Sequence, residues 1–500
     1  MKKTAVIILV LLSLVVVPTA LAQYSEGSWY TSYQIQNLGT SAALVTVYYY
    51  APDGTLQPTQ PTWTIDAGSS VVWTQWDDST LPAGQYAAVI ESTEEIAVIA
   101  NQQLLPTGAT NFAPIAPYSS YSGASAGAAQ VTLPVIMHNW FGYYTEFYVQ
   151  NVGSAAASVT IAYFPGEMDG ATSGAAGQTD SGTIPKFASK GFSQENKTGL
   201  AAGSGTWAGR FLGSAVVTSD QPIVVVVNQH LPSSYKLFTY NGFDAGATSV
   251  GTPVYMKGHF GYYASLTVAN VGTTDADVTI AYTADSEYSK PTSKWGDTTA
   301  VNYTIKPGTA LVRYDGPTAT ASQTDLGAYT QFFGAVKVTS DIPVVVMVNQ
   351  EATTAAGAQS GTYNGAALSG ATTKISVPLI QADFYGYYTS LTIQNTTGTA
   401  ANITVTYTSD GTYSAQKNKS KGYTHTIPAN GSVNIYEGRK GGLQIGDINA
   451  DTFWRDGTNM AFIGSAIITS DQPIIAFVNE ELDVAGKDTM YSYNAFNTTP

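Results

Sequence analysis

Residues 260–270 read FGYYASLTVAN, and the phrase returns as SWYTSYQIQN at 28–37, FGYYTEFYVQN at 141–151 and YGYYTSLTIQN at 385–395. In the third copy Leu266 and Val268 alternate with Thr267 and Ala269. Period-two alternation of β-branched and aromatic residues predicts a half-buried antiparallel strand. A second phrase follows each copy: ALVTVYYY at 43–50, SVTIAYF at 158–164, DVTIAYT at 277–283 and NITVTYT at 402–408. Residues between the two, such as Asn270-Val271-Gly272, are turn material, so each pair predicts a hairpin with a loop of several residues.

A third phrase closes the unit: VTSDQPIVVVVNQ at 217–229, VTSDIPVVVMVNQ at 338–350 and ITSDQPIIAFVNE at 468–480, with a degenerate copy, ESTEEIAVIANQ, at 91–102. Its Asp220 and Pro222, Asp341 and Pro343, and Asp471 and Pro473 predict turns, because Asp accepts from nearby backbone and Pro fixes it. Tyr240-Asn241-Gly242, Tyr363-Asn364-Gly365 and Tyr493-Asn494-Ala495 come last, where the first unit offers only Asn111-Phe112. The Asn residues that end the opening phrase, Asn37, Asn151, Asn270 and Asn395, are 114, 119 and 125 residues apart. A fixed period of this size means an array.

The expectation is all-β: four tandem immunoglobulin-like antiparallel β-sandwich domains at 23–117 (divergent), 130–245, 250–368 and 374–500. The Ala/Gly/Ser-rich stretches 118–130, 244–251 and 366–373 are expected to be semi-flexible joints between modules in a row.

Composition agrees. Only 11% of the 500 residues are charged, against about 25% in an average domain. Long surface helices need those residues on their wet face. The 44% hydrophobic content excludes global disorder. With no Cys there are no disulfides and no thiolate chemistry. A formal net charge of −14 argues against a nucleic-acid surface, which needs a basic stripe.

Residues 1–22 read MKKTAVIILVLLSLVVVPTALA, a positive start, an apolar run and an Ala-Leu-Ala cleavage site. This predicts a secretory signal peptide, a mature chain from Gln23, an extracellular, cell-surface location and no membrane span after processing.

An aromatic-led strand ending in Asn, a turn, then xVTVxY resembles the immunoglobulin-like modules of bacterial secreted and cell-surface proteins. It is similar to the CARDB and NEW3 style of sandwich, and to tandem repeats of unassigned role that carry SDQPI-VVNQ and YNG phrases. The resemblance implies structural or adhesive roles and brings no catalytic residue, cofactor or metal.

The candidate residues for binding or interface are the aromatics of the opening phrase: Trp29, Tyr30, Trp140, Phe141, Tyr143, Tyr144, Phe260, Tyr262, Tyr263, Phe384, Tyr385, Tyr387 and Tyr388. Rings stack on sugar faces. The competing expectation is that alternate rings enter the core and the others cover the next module. His138, His230, His259 and His425 lack metal-ligand spacing, and no GxSxG elbow occurs. Asp275 with Asp277, Asp285 with Glu287, and Asp447 with Asp451 match no calcium loop. A hydrolase site would be sought in 165–206, 284–300 or 409–460, above all around Asp447, Asp451, Trp454 and Arg455.

The function expected is a secreted, non-catalytic structural or adhesive protein of a surface layer, sheath or fibre, partnered by itself or by envelope proteins and glycans. The alternative is a carbohydrate-binding protein, and a secreted hydrolase comes last. Units two to four are preceded by apolar stretches at 132–136, 252–255 and 376–380. The first unit has none after processing, which leaves a sheet edge open to a strand from another chain.

Overall fold

In each of the last three units a single long strand sets the architecture: Phe211–Leu231, Tyr329–Ala352 and Phe462–Leu482. In this computed structural model the described residues are 6–10, 28–74, 80–105, 117–168, 171–173, 177–197, 199–200, 208–285, 290–291, 298–352, 359–411, 413–440, 443–444, 446–457, 460–482 and 488–497. They form an all-β protein of antiparallel sheets with no α-helix among them.

The second unit shows the plan. The first half of the long strand pairs with Ala157–Met168 on one side (Val217 opposite Ile161) and with an entry strand, Ala128–His138, on the other (Val217 opposite Val131). The second half pairs with Tyr144–Asn151 (Val227 opposite Phe147) and with Lys236–Asn241 (Val227 opposite Tyr240). Gln178–Ile184 and Ser189–Ser193 complete the two four-stranded sheets. The strand changes sheets at the register shift between Thr218 and Ile223. Ser219-Asp220-Gln221-Pro222 is therefore a corner inside a continuous strand, not the turn that Asp and Pro suggested. Asp220, Asp341 and Asp471 hold that corner by accepting the backbone N–H of Ser158, Asp277 and Asn402 at 2.7–2.8 Å. The carbonyls of Pro222, Pro343 and Pro473 accept the N–H of Val152, Val271 and Thr396.

Asn37, Asn151, Asn270 and Asn395 are buried and do one job. Each donates to two backbone carbonyls (Asn395 to a third, that of Pro428), and its Oδ1 accepts an N–H two residues on. Asn395 belongs to an Asn-x-Thr triplet, but this burial leaves no room for a glycan.

Much of what was expected to be joints is strand, with a 3-10 turn at Leu368–Gly370. Tyr118–Ser122 pairs with Ile96–Leu105, with Tyr121 opposite Ala100 as Tyr240 is opposite Val227. The first unit thus runs through Ser122, and Tyr121-Ser122-Gly123 is its counterpart of Tyr-Asn-Gly; Asn111-Phe112 lies outside the described residues. Small residues recur here because of close packing. A Cβ on Gly127 or Gly246 would lie 2.4 Å from Val152 or Val271.

The units close into a ring. The strands Tyr118–Ser122, Lys236–Asn241, Ser360–Asn364 and Met490–Asn494, one from each unit, meet along the seams. Gln102 and Asn228 exchange hydrogen bonds at 3.3–3.4 Å across seam one–two, and Gln229 and Asn349 do so at 2.9–3.2 Å across two–three. Asn479 donates to Gln350 across three–four. A second tier runs beside it. Asn241 bonds both main-chain groups of Ser122, Asn494 those of Asn364, and Asn364 donates to the carbonyl of Asn241. The closing seam differs, because Glu480 replaces Gln and Ser122 replaces Asn. There Ser120 donates to the carbonyl of Ser492, Tyr491 to Gln103 and Gln34 to the carbonyl of Pro378, at 2.6–3.0 Å. Modules in a row are thereby replaced by modules around an axis.

Candidate functional site

The opening phrase starts at a two-residue turn. Trp140 and Tyr143 exchange both main-chain hydrogen bonds at 2.9 Å, with Phe141 and Gly142 at the tip. Both tip residues have positive φ, 53° and 89°. Phe260-Gly261 (48°, 85°) and Tyr385-Gly386 (50°, 86°) repeat this. Such turns favour Asn, Asp or Gly at the first position, and an aromatic side chain held there costs about 1–2 kcal/mol. The three rings do not repay this by burial: Phe141, Phe260 and Tyr385 are 58%, 72% and 81% exposed. Since equivalent residues meet at the seams, the tips are related to one another by rotation about the ring axis. The first unit's tip lies outside the described residues.

The other candidate aromatics divide by position. Trp140 packs in the second unit's core, and Phe384 lies against the fourth's. Trp29, Tyr143, Tyr262 and Tyr387 turn to the seams. Trp29 clusters with Leu104 and with Leu237 of the next unit. Tyr143 reaches Glu351 of the next unit at 3.5 Å, and Tyr387 lies against Tyr118 and Tyr491. Tyr262 donates to Gln359, whose amide donates to the carbonyl of Leu482 in unit four. Tyr144 is buried and stacked on His230 at 4.9 Å between ring centres, whereas Tyr30, Tyr263 and Tyr388 are half-buried. Core and seam positions thus account for Trp29, Trp140, Tyr143, Tyr262, Phe384 and Tyr387, while the tip rings stay exposed.

Beside Phe141 a cleft of about 590 Å³ opens between units two and three, lined by Met137, Trp140, Tyr143, Phe238 and Tyr314 among others. Glu351 lies on its wall, paired with Lys236 at 2.9 Å. Arg210 stacks on Phe141 at 4.0 Å. Apolar and planar surfaces with a few hydrogen-bonding groups suit a flat ligand.

The histidines and acids have structural partners. His138 Nδ1 lies 2.6 Å from the carbonyl of Gln194, and His259 packs on Phe260 and Phe333. Burial pushes His230 down to about 3. Tyr163, Tyr282 and Tyr407, the last residue of the xVTxxY phrase, donate to Asp180, Asp325 and Asp447 at 2.8–3.1 Å. His425 also contacts Asp447, at 3.0 Å. Asp451 takes Lys421, Tyr423 at 2.7 Å and the N–H of Phe453; burial opposes these bonds, yet they hold its carboxyl down to about 2. Among the described residues no group of three or more His, Cys, Asp or Glu is placed to hold a metal ion; Glu287 lies outside them. No helix among them is long and apolar enough to cross a membrane.

Sequence reasoning missed Asp488, which is buried where units meet. Its carboxylate accepts the N–H of Leu237 (unit two, 3.2 Å) and of Ser360 (unit three, 2.7 Å) and the Ser360 hydroxyl. Its carbonyl accepts the N–H of Tyr118 of unit one at 3.2 Å. It has no sister copy, so the repeats gave no signal.

No family model matches the chain, and no curated protein matches it. Among solved structures, Thermotoga maritima 1070 aligns at 17% identity over 24% of this chain and 95% of its own, with a TM-score of 0.18. A variant of the major pilin from Streptococcus pyogenes aligns at 8% identity over 68% of this chain and 99% of its own, with a TM-score of 0.11.

Proposed function

We propose that this is an exported, non-catalytic adhesive protein of the cell surface, a ring that presents a set of aromatic tips to one partner surface. The observation that carries the reading is the exposed aromatic at a positive-φ turn, present in three units. Backbone strain that returns at equivalent positions, under rings that touch a neighbour on one side yet stay more than half exposed, points to a use outside the fold. A closed ring supports this reading, because it fixes the tips relative to one another and lets weak contacts act together. The second reading, a glycan-binding protein, is favoured by the cleft next to Phe141, since rings and a partly polar wall suit a sugar face.

The test is the triple variant Phe141→Asn, Phe260→Asn, Tyr385→Asn. Asn tolerates the left-handed backbone, so the variant should melt at the same temperature or slightly higher. Its retention on isolated cell envelopes should fall at least tenfold. Unchanged retention would remove the tips from the function. Retention on purified envelope polysaccharide, lost in the same variant, would select the glycan reading.

A further inference from the structure

We infer that, after removal of the leader, the first unit takes up an extended apolar strand supplied by another exported chain, antiparallel to Ala87–Ser92. This goes beyond the adhesive reading and rests only on its export of the chain, since the sheet edge and the tips are separate surfaces.

In units two to four the entry strand is a full part of the core. Val131, Leu133 and Ile136 of the second unit, Val254 and Tyr255 of the third, and Ile375, Val377 and Ile380 of the fourth are at most 3% exposed. Each entry strand covers the edge of its long strand. In the first unit Val6–Val10 occupies this place, with Ile8 opposite Ile90 and Val10 opposite Ala88. The register is that of Val131 opposite Val217 and Leu133 opposite Ala215. Cleavage after Ala22 removes the strand and bares the edge of Ala87–Ser92, whose residues 87–90 are all buried. The remaining residues 23–27 span only about 16 Å when extended, too short to turn back from the strand at Ser28 and run along that edge. The occupant must come from another chain.

A second observation points to the same place. In the three complete units the Tyr of the Tyr-Asn phrase holds the irregular part of the entry strand. Tyr240, Tyr363 and Tyr493 donate to the carbonyls of Val135, Val254 and Leu379, and accept the N–H groups of the same residues at 3.2–3.3 Å. Tyr121 is their counterpart. It is 2% exposed, and its hydroxyl has no hydrogen-bond partner among the described residues. A buried hydroxyl of this kind calls for a donor and an acceptor. By register both would come from a strand two residues longer than Val6–Val10. The partner segment is therefore about seven residues, apolar and uncharged, with its main chain free to pair.

The experiment starts from the exported protein, whose N-terminus is read by mass spectrometry and is expected at Gln23. That chain is titrated with a lysine-flanked peptide of residues 5–12, AVIILVLL. Saturable one-to-one binding is expected, with slower amide exchange in 87–92 and a higher melting temperature. A peptide with Pro in place of Ile8 should not bind. Tyr121→Phe should weaken binding about fivefold and leave the peptide-free melting temperature unchanged. An exported protein that retains Val6–Val10 would overturn the inference. So would absence of binding with residues 87–92 already protected from exchange.

Discussion

Asp488→Ala should open the ring while the four sandwich cores remain folded. The carboxylate receives two backbone N–H groups and a hydroxyl from units two and three, and its own strand begins at the fourth unit's seam. Alanine leaves those three buried donors without an acceptor, at about 1–3 kcal/mol each, so a loss of at least about 3 kcal/mol is expected. The melt should separate into a low-temperature seam transition and a higher transition of the cores. A single unshifted transition would show that Asp488 does not hold the seams.

The same residue gives the ring a pH dependence. Burial outweighs the donors and pushes the Asp488 carboxyl up to about 8, and burial does the same to Glu437, also to about 8. A folded pKa above the unfolded one means that the unfolded chain gives up its proton first. Stability then falls as pH rises between the two values. His230, lowered to about 3, works in the opposite sense below its unfolded pKa of about 6.5. From pH 6.5 to 8 His230 no longer contributes, so stability should drop by about 1–2 kcal/mol for each of these two carboxyls, and Glu146, pushed up to about 7, and Glu480, also raised by burial, act in the same direction. Asp488→Ala should flatten part of that slope in a series of thermal melts.

Trp454→Ala should be as damaging, and for a different reason. Trp454 is 1% exposed, lies edge-on to Phe462 at 4.9 Å and donates its indole N–H to Tyr423 at 2.9 Å. Removing a buried Trp costs about 3–5 kcal/mol. This segment is where a hydrolase site would be sought, so the variant separates the two ideas. A core residue loses stability, seen as a lower denaturant midpoint. A site residue would lose a ligand or an activity at unchanged stability, and that result would reopen the hydrolase reading.

Strands and pairing were legible because alternation and turn chemistry are local. Leu266 and Val268 announce a strand whatever surrounds it, and the repeated Asn270 announces its turn. The sheet-changing corner was not legible. Asp220 and Pro222 favour a turn by local chemistry, but Asp220 is used on the neighbouring strand, and the backbone continues. The ring was hidden for a similar reason. A linear array and a closed one carry the same Val-Asn-Gln and Tyr-Asn phrases. The contacts of the closing seam, Tyr491 with Gln103 and Ser120 with Ser492, are what show that the last unit meets the first. Of the candidate site, the aromatic phrase was visible, but which ring stays outside is decided by the two-residue turn, which period-two alternation does not encode. Asp488 stands once in the chain, so counting repeats passes over it.

The closed ring is the claim on which the adhesive reading stands. Small-angle X-ray scattering of the processed chain at low concentration tests it most directly. A compact chain of this length has a radius of gyration of about 23 Å, and a ring of four sandwiches should fall close to that value. Four sandwiches joined end to end would give about 40 Å. A value near 25 Å is predicted, and a value near 40 Å would contradict the ring.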